Sequence, residues 1–125
     1  MPAYPGSSQA TLIRTNQQQY FWNQESVASG TLSHAFQLER ITGTYYKWGL
    51  SVAVVFSGAP GIFEVDIMGA NNDLAANFVQ LGTITAVDAG FAGRWDMPSN
   101  LWPKYVAAFL KTLTNAVTVT AQVTR

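Results

Sequence analysis

Two carboxylates lie close together in this sequence, in a spacing that suits acid–base or cation chemistry. Glu64 and Asp66 are two positions apart in an alternating segment, so both side chains project from one face of a predicted strand, roughly 6.5–7 Å apart. Paired carboxylates occur in glycoside hydrolases, and two of them make half of a calcium site. No general base, nucleophile or further metal ligand accompanies this pair. We therefore expect the solvated outer face of a strand.

The other residues that could take part in catalysis or metal binding have no suitable partners in the sequence. His34 is the only histidine, which excludes a multi-histidine metal site, and no GxSxG motif supports a serine hydrolase triad. The segment 71–73, Asn-Asn-Asp, lacks the spacing of a calcium loop and predicts an Asx-type turn. The segment 58–61 lacks the lysine of a phosphate-binding loop and predicts a turn. We expect a protein that is not an enzyme, with no catalytic residue, no metal and no cofactor.

The amino-acid composition limits the kinds of partner that the protein is expected to bind. Charged residues make up 11% of the chain, against about 25% in an ordinary domain, while Ser, Thr, Asn and Gln supply 35 residues. The formal net charge is zero, which gives no reason to expect nucleic acid or an anionic membrane. Neither a signal peptide nor an apolar run of about 18 residues is present, so we expect synthesis in a cytoplasm. A charge-poor surface loses little on desolvation, and protein neighbours or an uncharged ligand can cover it.

Apolar and polar residues alternate along most of the chain, and this period of two predicts short β-strands. The clearest strand places five apolar residues on one face: Trp48, Leu50, Val52, Val54 and Phe56. We expect this strand to pair antiparallel with the next one, Ile62 to Met68. Pro60 and Gly61 occupy the two central positions of a predicted type II turn between them.

The remaining segments complete a fold of about eight strands. Strands are predicted near residue 12 and at 32–41, 78–85, 91–95 and 117–124. Residues 17–24 fit a loop or a strand, and residues 105–110 fit a helix or, better, a strand. Such spacing predicts an all-β fold, a two-sheet antiparallel sandwich that is jelly-roll-like rather than immunoglobulin-like.

The chain divides into an arm and one domain. Residues 10–125 form the single β-sandwich domain. Residues 1–9 are rich in Pro, Gly and Ser and have no core of their own. We expect them to form an extended N-terminal arm that lies on a neighbouring protein or on the surface of the domain.

Aromatic residues are the candidates for an interface. Four are expected in the core: Trp48, Phe56, Phe63 and Phe109. Seven fall in loops or at strand ends: Tyr4, Tyr20, Trp22, Tyr45, Tyr46, Trp95 and Trp102. Exposed rings anchor protein interfaces or stack on sugars, whereas loop rings also fold back over the ends of a core. Both alternatives stay open from the sequence.

Three segments carry a resemblance to a known class of proteins. They are FEVDIMGANND, leading into FVQLGTIT, and then PKYVAAFLKTLTNAVTVTAQVTR, within residues 62–125. A strand and an Asn/Asp turn precede an LG strand, and a YV strand and a Thr/Val-rich terminal strand follow. In this the chain resembles the small β-sandwich structural proteins of tailed bacteriophages. Carbohydrate-binding sandwiches share the same LG and YV pattern.

The resemblance implies a virion protein made in the host cytoplasm. Its implied role is a capsid decoration (cement) protein, or a minor head or tail component, with no catalytic residues. The implied partners are the major capsid protein or other virion subunits, and a homo-oligomer such as a trimer. The alternative is a carbohydrate-binding module that uses Trp22, Trp95 or Trp102 as stacking platforms.

Overall fold

The computed structural model describes residues 11–13, 17–38, 50–72, 74–98 and 103–125. Within them, one 3-10 turn forms at Ala75–Asn77, and no helix is long and apolar enough to cross a bilayer. The described strands, in chain order, are β1 (Thr11–Ile13), β2 (Gln18–Glu25), β3 (Thr31–Leu32), β4 (Phe36–Leu38), β5 (Ser51–Phe56), β6 (Phe63–Ala70), β7 (Val79–Ile84), β8 (Ala92–Asp96), β9 (Tyr105–Leu113) and β10 (Val119–Thr124).

The strands form two sheets that pack face to face. The larger sheet has the order β1-β4-β9-β6-β7, with β3 pairing to β9, and the smaller has the order β2-β10-β5-β8. Only β1 and β4 pair in parallel among the described strands. With β3 and β4 taken as one interrupted strand, successive strands from β2 onward alternate between sheets, except for the β6–β7 hairpin. This winding is a jelly roll, and the predicted all-β sandwich is confirmed.

The clearest predicted strand has the predicted inner face. Val52, Val54 and Phe56 of β5 are buried, as is Leu50 before it, and Val55 between them is exposed. Trp48 lies outside the described residues. The period of two therefore gave the correct orientation of this strand.

The predicted pairing of β5 with β6 is wrong. β5 pairs with β10 and β8 in the smaller sheet, whereas β6 pairs with β9 and β7 in the larger one. Gly61 has the positive φ, +71°, that a type II turn requires, but the connection crosses between the sheets. The rings of Phe56 and Phe63 then meet across the core, with centroids 4.8 Å apart. The apolar face of β5 and the apolar face of β6 therefore pack against each other across the core, whereas in a hairpin they would lie next to each other in one sheet.

The predicted strand 32–41 is interrupted at Ser33, and its residues 39–41 lie outside the described ones. The buried Ser33 hydroxyl accepts a hydrogen bond from the Ala108 amide (2.9 Å) and donates one to the His34 carbonyl (2.8 Å). The Ser33 amide also donates to the Ala108 carbonyl (2.8 Å). A side chain thus takes a place in the ladder, which splits one strand into β3 and β4. This split and the formation of β2 by residues left open as loop or strand account for ten described strands instead of about eight.

Two other segments resolve as strands. Residues 17–24 form most of β2, and residues 105–110 lie in β9, the central strand of the larger sheet. Phe109 was expected in the core but is only partly buried, because it lies opposite Asp66 on the outer face of that sheet. A second apolar cluster covers part of the same outer face; it contains Leu32, Ala35, Met68, Ala70, Phe78, Tyr105 and Ala107.

One side of the sandwich is closed by glycines. Gly82 of β7 lies directly beneath the Trp95 ring of β8, where a Cβ atom would overlap the indole. Gly93 of β8 lies under the chain that follows β7, close to the Ala86 carbonyl and the Ile84 side chain. Two edge strands from different sheets approach here because neither glycine carries a side chain.

Candidate interaction surface

The outer surface of the smaller sheet is a grid of side chains, which we call the four-strand face. Directly paired residues of antiparallel strands share a face, so the strand register defines its rows. The rows are Gln18, Thr124, Ser51 and Asp96; then Tyr20, Gln122, Ala53 and Arg94; then Thr120, Val55 and Ala92 beside a bulge in β2. All of these residues are exposed or partly exposed.

The four-strand face carries almost no charge. Its two ionic residues, Arg94 and Asp96, are both on the edge strand β8 and bind each other, with an N–O distance of 2.9 Å. The other rows consist of Ser, Thr, Gln, Ala, Val and Tyr. Covering such a surface requires no unpaired ion to leave water, so its desolvation costs little.

Hydrogen bonds within the face hold several of its side chains in place. The Gln122 amide donates to the Gln18 side-chain oxygen at 2.8 Å, and the Thr120 hydroxyl accepts from the Gln24 backbone amide at 3.1 Å. Gln24 has a positive φ of 52°, at the second of two register shifts between β2 and β10, which falls between Trp22 and Glu25. A face whose side chains are already ordered loses less conformational entropy when a partner binds.

Two apolar side chains rise from this polar grid. Tyr20 is 43% exposed and Val55 is 42% exposed, both high for large apolar residues. Aromatic residues surrounded by small polar groups are typical anchors of protein interfaces. Tyr20 and Val55 are therefore the candidate anchors of the four-strand face.

The dimensions of the face limit what it can bind by itself. Strands about 4.8 Å apart and rows about 6.8 Å apart give a grid roughly 20 Å across with its side chains, on the order of 400 Å². A standard protein interface buries about 800 Å² on each partner. The four-strand face supplies roughly half of that area.

The structure distributes the seven aromatic candidates very differently. Tyr20 lies on the four-strand face. Trp22 is 6% exposed and belongs to the core, because the bulge in β2 turns Phe21 and Trp22 inward together. Trp95 is partly buried against Gly82. The other four lie outside the described residues: Tyr4, Tyr45, Tyr46 and Trp102.

The carboxylate pair is only partly solvated. Glu64 is partly exposed and its carboxylate lies 3.6 Å from the Lys111 ammonium, but Asp66 is only 5% exposed. The expected solvated face is therefore wrong for Asp66, because β7 covers it: the Gln80 side chain donates to its carboxyl at 3.4 Å. Burial and a hydrogen bond with Glu64 raise the pKa of Asp66, while Thr83 and Lys111 act in the opposite direction.

We expect Asp66→Asn to stabilise the protein at pH 7. The raised pKa of Asp66 means that the folded state binds its proton more tightly than the unfolded state, whose carboxyl titrates near 3.8. The stabilisation by this proton is complete below that pH and is lost as the pH rises through the folded pKa. The variant keeps the shape and avoids the buried charge. Urea unfolding at pH 7 and pH 4 should therefore show an advantage for Asp66→Asn that shrinks at the lower pH.

The control is Asp96→Asn, which removes a carboxylate from an exposed ion pair. Its effect at pH 7 should be within about 0.5 kcal/mol. An Asp66→Asn protein less stable than the wild type at pH 7 would show that the ionised carboxyl is a favourable part of the fold.

The His34 side chain is packed against the fold and is partly buried. Its ring packs edge-on against Phe36, with centroids 4.7 Å apart. Burial lowers the pKa of His34, although a hydrogen bond to the Tyr20 backbone and the nearby Glu25 charge oppose this shift. The imidazole is therefore neutral at pH 7.

The described residues contain no group of three or more His, Cys, Asp and Glu that is close enough to hold a metal ion. In the Asn-Asn-Asp segment, the Asn72 side-chain oxygen accepts a hydrogen bond from the Asn77 side-chain amide at 2.7 Å; Asp73 lies outside the described residues.

The four-strand face is thus the best-defined candidate for function. No protein-family model matches this sequence, and neither the curated proteins nor the solved structures contain a significant match to it.

Proposed function

We propose that the chain is a non-enzymatic structural protein of a virion, most specifically a capsid decoration protein that stabilises the head shell. The observation that carries this proposal is the four-strand face, which is open, nearly uncharged and ordered by its own hydrogen bonds. Its Tyr20 and Val55 provide apolar contact area. The resemblance of residues 62–125 to phage sandwich proteins supports the same role.

The shape of the face favours a protein partner over a small ligand. Small molecules bind in concave sites that surround most of their surface, whereas the four-strand face is an open sheet. A second protein surface can cover such a sheet over its whole area. We therefore propose the major capsid protein or another virion subunit as the partner.

Repetition would compensate for the small area of the face. A contact of about 400 Å² is half of a standard interface, so one subunit alone would bind weakly. A homo-oligomer such as a trimer presents several copies of the face at once, and the linked contacts strengthen one another. The same reasoning applies to a minor head or tail component, and both assign the protein to the virion.

The carbohydrate-binding alternative has less support. Trp22 is buried in the core, so it presents no open ring face for sugar stacking, and Trp95 is partly buried with its ring against Gly82. Trp102 lies outside the described residues. Among the candidate rings in the described part of the chain, Tyr20 is the one that is exposed.

We expect Gln122→Glu to abolish most of the binding to heads of the virus that encodes the chain. Gln122 is at the centre of the face, and its replacement would force an unpaired carboxylate out of water. The affinity should fall at least tenfold, about 1.4 kcal/mol, in co-sedimentation with purified heads checked by electron microscopy. Thermal unfolding of the variant should match the wild type, because the side chain is partly exposed.

Thr85→Glu is the matched control, since Thr85 is exposed and lies outside the face. It should bind heads as the wild type does. A wild-type protein that fails to bind heads, or that binds a glycan through Tyr20 instead, would overturn the proposal. Equal binding by Gln122→Glu would exclude the four-strand face as the docking surface.

A further inference from the structure

Strand β7 is an open edge of the larger sheet. It is the last strand in the order of that sheet, so β6 pairs with one side of its backbone and no described strand pairs with the other. β8 approaches it from the other layer at Gly82 but forms its ladder with β5. Alternate residues of an antiparallel strand point their N–H and C=O groups away from the paired neighbour. These outward groups of β7 can bind a further strand.

The other described edge strands are protected against such pairing, and β7 is not protected in the same way. Natural sheets protect their edges with short strands, charged side chains or bulges. β1 has three residues, β8 carries the Arg94–Asp96 ion pair, and β2 has two register shifts against β10 and ends at Glu25. β7 has six residues and no charge, and one register shift, at Leu81, interrupts its pairing with β6.

The chain around this edge is uncharged and partly apolar. The segment 74–87 contains no charged residue and no proline. Val79 in β7 is 61% exposed, and Leu74, just before the 3-10 turn that leads into β7, is 52% exposed. They are two of the five exposed large apolar side chains among the described residues, so apolar exposure is concentrated here as it is on the four-strand face.

We propose that β7 pairs antiparallel with β7 of a second copy of this chain across a two-fold axis, which joins the two larger sheets edge to edge. This inference rests on the proposed function only in taking the chain to be a repeated subunit. Six residues in such a pair form about six backbone hydrogen bonds, and Val79 and Leu74 add apolar contact. The contact is two-fold and closes on itself, so it gives a dimer rather than the trimer named as an example above.

The neutral sequence of the edge is the argument for a second copy as the partner. In a two-fold antiparallel pair each residue lies opposite a residue of an identical strand, so a charge near the axis would face a like charge, which is destabilising. The segment 74–87 has no charge that could do this. A partner strand of different sequence would be selected by complementary charges, and this edge offers none.

The small size of the edge predicts a weak dimer. A strand of six residues is about 20 Å long, and with two apolar side chains it buries less than the roughly 800 Å² per partner of a standard interface. We therefore expect the dimer to dissociate on dilution. Copies that lie side by side on a larger assembly would pair more readily, because their effective concentration is high.

Val79→Lys tests the edge, and Ile62→Lys is the matched control. Both variants replace an exposed β-branched side chain by lysine, which natural edge strands use against pairing. Ile62 is 75% exposed and lies just before the opposite end of β6. Sedimentation velocity over a concentration series should show a dimer for the wild type and for Ile62→Lys. Val79→Lys should raise the dissociation constant about tenfold or more, with thermal unfolding unchanged.

Hydrogen exchange of the wild type locates the contact without relying on any variant. The amides of 79–84 should exchange more slowly at high protein concentration than at low concentration, because pairing protects the outward N–H groups. The amides of the other edge strands should exchange at the same rate at both concentrations. Mass spectrometry of proteolytic peptides measures this difference. Protection that rises in β8 or β2 instead of β7 would overturn the proposal.

The remaining results distinguish the possible partners of this edge. A wild type that stays monomeric at every concentration would overturn the inference, as would equal weakening of the dimer by Val79→Lys and Ile62→Lys. A monomeric wild type whose binding to heads is lost through Val79→Lys would assign the edge to a strand of another virion protein. Dimer formation through β7 without any binding to heads would instead overturn the virion role alone.

Discussion

Replacing Gly93 by alanine is expected to lower the free energy of unfolding by about 3 kcal/mol, the upper end of the usual cost of overpacking. The new Cβ would lie 2.7 Å from the Ala86 carbonyl oxygen and 2.7 Å from the Ile84 Cγ2 atom. The carbonyl belongs to the backbone and cannot rotate away as a side chain would. Strand β8 and the chain after β7 would have to separate. Urea unfolding followed by tryptophan fluorescence measures the loss.

Gly90→Ala is the control for this prediction. Gly90 is in the connection that leads into β8, and its closest new contact would be the Asp88 carboxylate at 3.4 Å, an ordinary van der Waals distance. We expect a change within about 1 kcal/mol, because only the general effect of replacing glycine remains. Equal losses in both variants would show that glycine flexibility, rather than close packing, holds this side of the sandwich together.

The two sides of the sandwich are built differently. At the β7–β8 side, Gly82 and Gly93 have no side chains, so the two sheets approach closely, and the Trp95 ring packs over Gly82. At the β2–β3 side, the sheets leave a groove lined by apolar residues.

The sequence predicted the two layers but not the pairing of their strands. The period of two along β5 and β6 correctly identifies the buried positions, among them Val54 and Val65. The same pattern results when two strands pair within one sheet and when they face each other across the core. The alternation therefore contains no information that separates these cases. A connection of six residues between Phe56 and Phe63 was the available signal, since hairpins most often use shorter loops.

Local irregularities explain most of the other differences. The bulge in β2 places Phe21 and Trp22 inward in succession, which no alternating pattern can represent. The buried Ser33 hydroxyl interrupts a strand by bonding to β9, a contact 75 residues away in sequence. Asp66 is buried by its neighbour strand β7. Each of these features depends on a partner strand that a single segment does not specify.

The candidate surface was partly predictable, but from a different signal. Large aromatic rings suggested an interface, yet Trp22 belongs to the core and Trp95 packs against it, because burying such rings stabilises the fold itself. The better signal was the strict alternation of the last strand. Thr120 and Gln122 alternate with the buried Val119, Ala121 and Val123, so the outward side of this strand had to be uncharged.

Adjacent valines of β5 should separate stability from binding. Val54→Ala is expected to lower the free energy of unfolding by about 2.5 kcal/mol, since the side chain is fully buried and its removal leaves a cavity. Its affinity for heads should not change while the protein is folded. Val54 is directly opposite Gly93, so the effects of Val54→Ala and Gly93→Ala should not add independently.

Val55→Ala should leave stability nearly unchanged and weaken binding to heads. Val55 is 42% exposed on the four-strand face, so its truncation should change stability by no more than about 0.5 kcal/mol. If a partner covers it, the lost apolar contact costs about 1 kcal/mol and weakens head binding about fivefold. Unfolding in urea and co-sedimentation with heads would be measured for both variants. If Val55→Ala leaves head binding intact, the docking surface lies elsewhere than on the four-strand face. Weaker binding by Val54→Ala alone would not change that conclusion, because Val54 is in the core and not on the face.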